Sequence, residues 1–197
     1  MFARLLVLLA SVGGIATASP LLLPRSSCDS YVVISTRGTG EAQGPSSGFS
    51  IMNSQILAQL PNGSIYDTVY PAGINQNSSA GTTDIVNQVT TDLSINPAQC
   101  FILEGYSQGA AATVDALPLL TGPAFDAVKG VFLIGNPDRK AGLACNVDAV
   151  GRDTTKYANG FEAQDSLGIP SNWVDKTLDV CKLVGLLIVC RFTVVLD

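Results

Sequence analysis

The hydrophobic positions of the chain change period several times. Tyr31-Val32-Val33-Ile34-Ser35 is a continuous β-branched run that breaks into the glycine-rich Thr36-Arg37-Gly38-Thr39-Gly40-Glu41, the pattern of a buried strand feeding a loop. Apolar residues then recur at Phe49, Met52, Ile56 and Leu60, which predicts a helix over 49–60. Residues 65–70 alternate as a strand and stop at Pro71, and Ile85, Val89 and Leu93 give a second helix over 82–93, with Thr82, Thr83 and Asp84 as caps. Phe101-Ile102-Leu103 reads as a short strand, 110–117 as a helix stopped by Pro118, and 130–135 as a strand ended by Asn136-Pro137. Strands alternating with helices predict an α/β fold with a mostly parallel sheet covered on both faces. Sites in such sheets lie beyond the C-terminal ends of the strands, and the loops 36–41 and 105–109 qualify.

The two ends depart from this pattern. Arg4, the apolar stretch 5–10 and the small residues Ala16-Thr17-Ala18 predict a secretory signal over 1–18, too short and too interrupted by Gly13-Gly14 to span a bilayer. Residues 19–27 read as a short pro-segment or flexible N-terminus. At the other end, Leu183 to Cys190 is almost wholly apolar, and seven residues follow it. That run is too short for a spanning helix and reads either as a buried strand pair or as an ending foreign to the rest of the chain.

Composition narrows the function classes. With 11 Lys+Arg against 16 Asp+Glu the formal charge is −5, and no basic run offers a footprint for nucleic acid or an anionic membrane. Charged residues make up 14% and hydrophobic ones 47%, enough to build one core and not the composition of a disordered chain. The 197 residues include no histidine, so the usual general base and the commonest metal ligand are both missing; no metal site is expected. An exported chain would use Cys28, Cys100, Cys145, Cys181 and Cys190 as disulfides, although five is odd and one must lack an internal partner. Asn62-Gly63-Ser64 and Asn77-Ser78-Ser79 are N-glycosylation sequons in polar stretches.

Gly105-Tyr106-Ser107-Gln108-Gly109 matches G-x-S-x-G between a predicted strand and a small-residue helix. In such a nucleophile elbow the sharp turn lifts the serine above the sheet, and the next residue, Gln108, turns its N–H toward a developing oxyanion. Thr39, in the loop after the first strand, is placed to supply the second donor, by hydroxyl and N–H, or is simply a turn residue.

These residues, with Arg37-Gly38-Thr39-Gly40-Glu41, Tyr70-Pro71-Ala72, Gly135-Asn136-Pro137, Cys145-Asn146-Val147-Asp148, Ile169-Pro170 and Asp179-Val180-Cys181, resemble the cutinase and acetylxylan esterase family of small secreted fungal serine esterases. The resemblance spans residues 28–181. It implies a lidless three-layer α/β/α sandwich of the α/β-hydrolase type, and a monomer that needs no cofactor. It also implies Ser107 as nucleophile, Thr39 and Gln108 as the oxyanion hole, and a Cys28–Cys100 bridge. The substrates implied are carboxylic esters: cutin-like polyester, acetylated xylan or short acyl esters.

The resemblance fails after Cys181. The family has a triad aspartate between two cysteines there and a triad histidine downstream; here 182–189 contains no acid, with Gly185 in the aspartate's place, and no histidine follows Cys190. A serine without its base keeps only the oxyanion hole and binding, a residual of about 10³–10⁴-fold over water. Lys176 or Lys182 would be needed for a Ser-Lys arrangement, and Asp175 and Asp179 read as surface or capping carboxylates. Three explanations compete: an unremoved intron that rewrote the tail over 182–197, an inactive relative that binds an ester or glycan surface, or an active enzyme with an unrelated base. Without the family, a secreted disulfide-linked binding module or adhesin is the alternative.

Overall fold

The computed structural model describes residues 28–184 and 187–189. The predicted signal over 1–18, the segment 19–27 and Cys190 lie outside the described residues. Six strands, β1 (Ser30–Thr36), β2 (Gly63–Asp67), β3 (Gln99–Tyr106), β4 (Val128–Ile134), β5 (Asn146–Val147) and β6 (Thr177–Val180), form one sheet in the order β2-β1-β3-β4-β6-β5. Every pairing within it is parallel. Helices α1 (Ser50–Gln59), α2 (Ser79–Ile95), α3 (Gln108–Ala116) and α4 (Pro123–Ala127) complete the expected α/β architecture.

The core explains the layering. Ile34, Phe101, Leu103, Val131 and Leu133 cluster with Ile85 and Val89 of α2 and with Ala110, Ala112 and Val114 of α3, whose small residues let the helix lie close on the sheet. Side chains alternate along a strand, so Glu104 faces away from this cluster. It meets α1 on the other face, where Asn53 Nδ2 donates to Glu104 Oε2 at 2.9 Å. No helix among the described residues is long and apolar enough to cross a membrane.

Several boundaries differ from the sequence expectation. The strand expected over 65–70 is Gly63–Asp67, because the Arg37 guanidinium takes the carbonyls of Thr68 and Tyr70 and draws the chain off the ladder. Helix α2 begins at Ser79, so Thr82, Thr83 and Asp84 lie inside it and not at a cap. Asp84 instead accepts the Tyr66 hydroxyl (3.0 Å) and the Val69 N–H (2.8 Å), tying α2 to the end of β2. The tail forms an antiparallel pair, β7 (Lys182–Val184) with β8 (Leu187–Val189), separate from the main sheet.

Cys28 and Cys100 are disulfide-bonded with Cα atoms 5.5 Å apart, across a sequence separation of 72. A loop of that size loses roughly 4 kcal/mol of unfolded-state entropy in the chain-closure picture. Cys145 is free and buried, so it is a cysteine without an internal partner, as the odd count of five requires of at least one. Cys181 is disulfide-bonded, with a partner outside the described residues. The ladder gives the reason: Asn146 faces Asp179 and Val147 faces Val180. Cys145 and Cys181 thus stand three rungs, about 10 Å, apart and on opposite faces of the sheet, beyond disulfide reach.

Candidate active site

At Ser107 the chain turns from β3 into α3 within one residue, with φ 53° and ψ −119°. A side-chain-bearing residue in that region costs about 1–3 kcal/mol and persists only where its surroundings fix it. Here they do. The Ser107 N–H donates to Ile134 O at the end of β4 (2.9 Å), and Ser107 O accepts Ala110 N–H (2.8 Å) and Ala111 N–H (3.3 Å) of the first helical turn. The flanking glycines are steric requirements: a Cβ at Gly105 would lie 2.6 Å from Ala110 Cα, and one at Gly109 would lie 2.2 Å from Thr36 O and 2.4 Å from Arg37 O. The start of α3 is therefore pressed against the end of β1, which carries the loop after β1 to the serine's side. Gln108 opens α3, where no carbonyl lies four residues back to take its N–H, and the helix dipole favours negative charge there.

The β1 loop is built around two charged residues whose function the sequence did not reveal. Arg37 is buried; its Nε donates to Glu41 O (2.9 Å), Nη1 to Gln43 Oε1 (2.9 Å) and Thr68 O (3.1 Å), and Nη2 to Tyr70 O. It also lies 4.9 Å from the Tyr70 ring centroid, and burial pushes the Tyr70 phenol up to about 12. The Glu41 carboxylate accepts the N–H groups of Gly38 and Ser47 and both the Ser46 and Ser47 hydroxyls. Thr39 sits on the loop these contacts fix, half-buried, with its hydroxyl donating to Gln76 Oε1 at 3.1 Å.

Residues 72–76 brace both candidate oxyanion residues. Ala72 O accepts Gly40 N–H (2.8 Å), Gly73 O accepts Gln108 Nε2 (3.1 Å), and Gln76 takes Thr39. Ala72 and Gln76 have φ of 50° and 58°. The Arg37-Gly38-Thr39-Gly40-Glu41 motif marked this loop in the sequence, but no local signal identified Gln76 or Gly73 as its brace.

The acid and base candidates fare differently. Asp179 is not a surface or capping carboxylate: fully buried, it pairs with Arg139 Nη1 at 2.9 Å and accepts Asn136 Nδ2 at 2.9 Å. Burial pushes its carboxyl up, while Arg139 and Asn136 pull it back. Arg139 also bonds Asp179 O, Thr155 O and Thr155 Oγ1, so the pair ties β6 to the loops after β4 and β5. Asp175 is exposed, as expected of a surface carboxylate. Lys176 is held at the opposite edge of the sheet, donating to Phe125 O (2.6 Å) and Val128 O (3.0 Å) with Nζ 3.7 Å from the Phe125 ring centroid. Val128 opens β4 and Ile134, whose carbonyl takes Ser107 N–H, closes it; at about 3.3 Å per residue Lys176 is roughly 20 Å from the serine. Lys182 is exposed at the start of β7. An acidic recess of about 270 Å³, lined by Asp115, Asp138, Glu162 and Asp165, opens beside α3. Burial pushes Asp138 up to about 6. Asp115 is eight residues beyond Ser107, about 12 Å along the helix, too far to take its proton.

A parallel α/β sheet with a sharp serine turn at the C-terminal end of β3 is the architecture of the α/β-hydrolase fold. The family model for cutinase matches residues 27–193, and the chain belongs to the cutinase family. A cutinase-like protein from Cryptococcus sp. is 58% identical, with a TM-score of 0.77 over 80% of this chain and 78% of that one. The catalytic core domain of acetyl xylan esterase from Trichoderma reesei is 24% identical, with a TM-score of 0.62 over 79% of this chain and 84% of the other, and shows the shared fold. So does Trichoderma reesei cutinase in complex with a phosphonate inhibitor, at 22% identity and a TM-score of 0.50 over 78% and 60%. No curated protein matches.

Proposed function

We propose that residues 28–181 form an exported, monomeric ester-hydrolase domain that retains the carbonyl-binding half of its site and lacks base-assisted attack by Ser107. The observation that carries this reading is the Ser107 backbone, locked at φ 53° between Ile134 O and the first turn of α3, in a chain with no histidine. An ester carbonyl placed over Ser107 would direct its oxygen to the Gln108 N–H and to Thr39. Stabilising charge there needs only preorganised donors. Proton removal from Ser107 needs a base, and Asp179 and Lys176 are committed elsewhere. The proposed ligands are carboxylic esters: cutin-like polyester and acetylated xylan, after the relatives' names, and short acyl esters. The Cys28–Cys100 bridge suits an oxidising compartment.

Hydrolysis of p-nitrophenyl butyrate by the chain and by Ser107→Ala tests this. The expected outcome is slow turnover, about 10³–10⁴-fold over water and equal in the two proteins. A rate far above that range that collapses in Ser107→Ala would show a working base and defeat the reading.

A further inference from the structure

The segment that braces the oxyanion residues ends in the second sequon, Asn77-Ser78-Ser79, just before α2. Asn77 is exposed, and its Oδ1 accepts both the N–H (3.1 Å) and the hydroxyl (2.6 Å) of Ser79. Among the described residues its amide nitrogen carries no hydrogen bond, so a substituent there breaks none. The hydroxyl at the third sequon position thus polarises the acceptor amide. The first sequon is built differently. Asn62 occupies a turn at φ 66°, its carbonyl accepts Tyr31 N–H, and Ser64 is in β2 opposite Val32 with no bond to the Asn62 side chain. Gly63 between them is pressed on the Tyr31 ring, where a Cβ would lie 2.0 Å from Cζ.

We propose that Asn77 is an N-glycosylation site, and that its sugar stands at the mouth of the nucleophile site, one residue from the Gln76 that receives the Thr39 hydroxyl. The co-reactant is a lipid-diphosphate-linked oligosaccharide. The bond from its anomeric carbon to the diphosphate oxygen breaks, a bond from that carbon to Asn77 Nδ2 forms, and the amide proton leaves with the lipid diphosphate. The inference rests on the export reading and not on activity. A sugar there would limit how closely a solid polymer approaches.

The test is expression in a eukaryotic secretory host, once with the chain's own leader and once with an unrelated leader replacing residues 1–18. Cells and medium are digested together, so that failure to fold does not hide the result. After enzymatic release of N-glycans, the peptide containing residue 77 is expected to read aspartate there in most molecules, more often than at residue 62. Ser79→Ala should abolish the conversion and Ser79→Thr should preserve it. Unmodified Asn77 behind the unrelated leader, or sugar at Asn62 with none at Asn77, would overturn the proposal. Modification behind the unrelated leader alone would uphold the site and overturn the export reading instead.

Discussion

The ends of β3 and β6 lie on the same edge of one sheet, two strands apart, and differ in what determines their side chains. At the end of β3 the backbone itself is the device. Gly105 and Gly109 sit where a Cβ would lie 2.6 and 2.2 Å from neighbouring backbone atoms, and Ser107 is fixed by backbone hydrogen bonds to β4 and α3. At the end of β6 the one buried acid is spent on Arg139, and the chain then leaves the sheet as a separate hairpin. The backbone of the elbow is built into the packing of the core, so its geometry cannot change without disturbing the fold. An acid and a base carried on a loop outside the packed sheet can be lost while the fold survives, which is the reading proposed for this chain.

The largest expected effect tests the first half of that contrast. Gly109→Ala must displace the Thr36 and Arg37 carbonyls, which should cost more than about 4 kcal/mol and leave little folded protein in chemical denaturation. A variant within 1 kcal/mol of the parent, on the order of an ordinary surface change, would show that the elbow is not held by packing.

Asp179→Ala tests the second half. It strands the Arg139 guanidinium in the interior and should cost about 3–5 kcal/mol, whereas Arg139→Met with Asp179→Leu should recover most of that loss. If Asp179→Ala instead unfolds like the parent, the carboxylate is free for another role.

A smaller effect separates Glu104 from Asp179, the two acids with no exposure among the described residues. Burial pushes Glu104 up from 4.5 to about 7, with the Asn53 hydrogen bond opposing. Between about pH 4.5 and 7 the folded protein holds a proton that the unfolded chain has released, so stability should fall as pH rises through that window. Glu104→Gln should remove of order 3 kcal/mol of this dependence, read from urea midpoints at pH 4.5 and 7.5. An unchanged pH profile would place the proton elsewhere.

Legibility from sequence follows the same division. The β1 and β3 strands and the elbow were readable because β-branched runs and glycine spacing are local signals. The β5 and β6 strands, of two and four residues, were too short for periodicity. Asp179 was misread because its partner lies 40 residues away and both look like surface charges until the fold brings them together. The pairing of Cys145 stayed open for a similar reason: only the ladder register shows that it and Cys181 face opposite ways. Thr39 was found by its loop, but Gln76, which holds its hydroxyl, lies 37 residues on and carries no motif.

The central claim, a preformed elbow whose serine is not activated, is tested most directly by covalent capture. The chain is incubated with an alkyl p-nitrophenyl phosphonate, which transfers its phosphonyl group to an activated serine and releases p-nitrophenolate, and its intact mass is then read. The expected result is a folded protein with no adduct on the peptide containing Ser107. A stoichiometric adduct on that peptide, absent from Ser107→Ala, would contradict it.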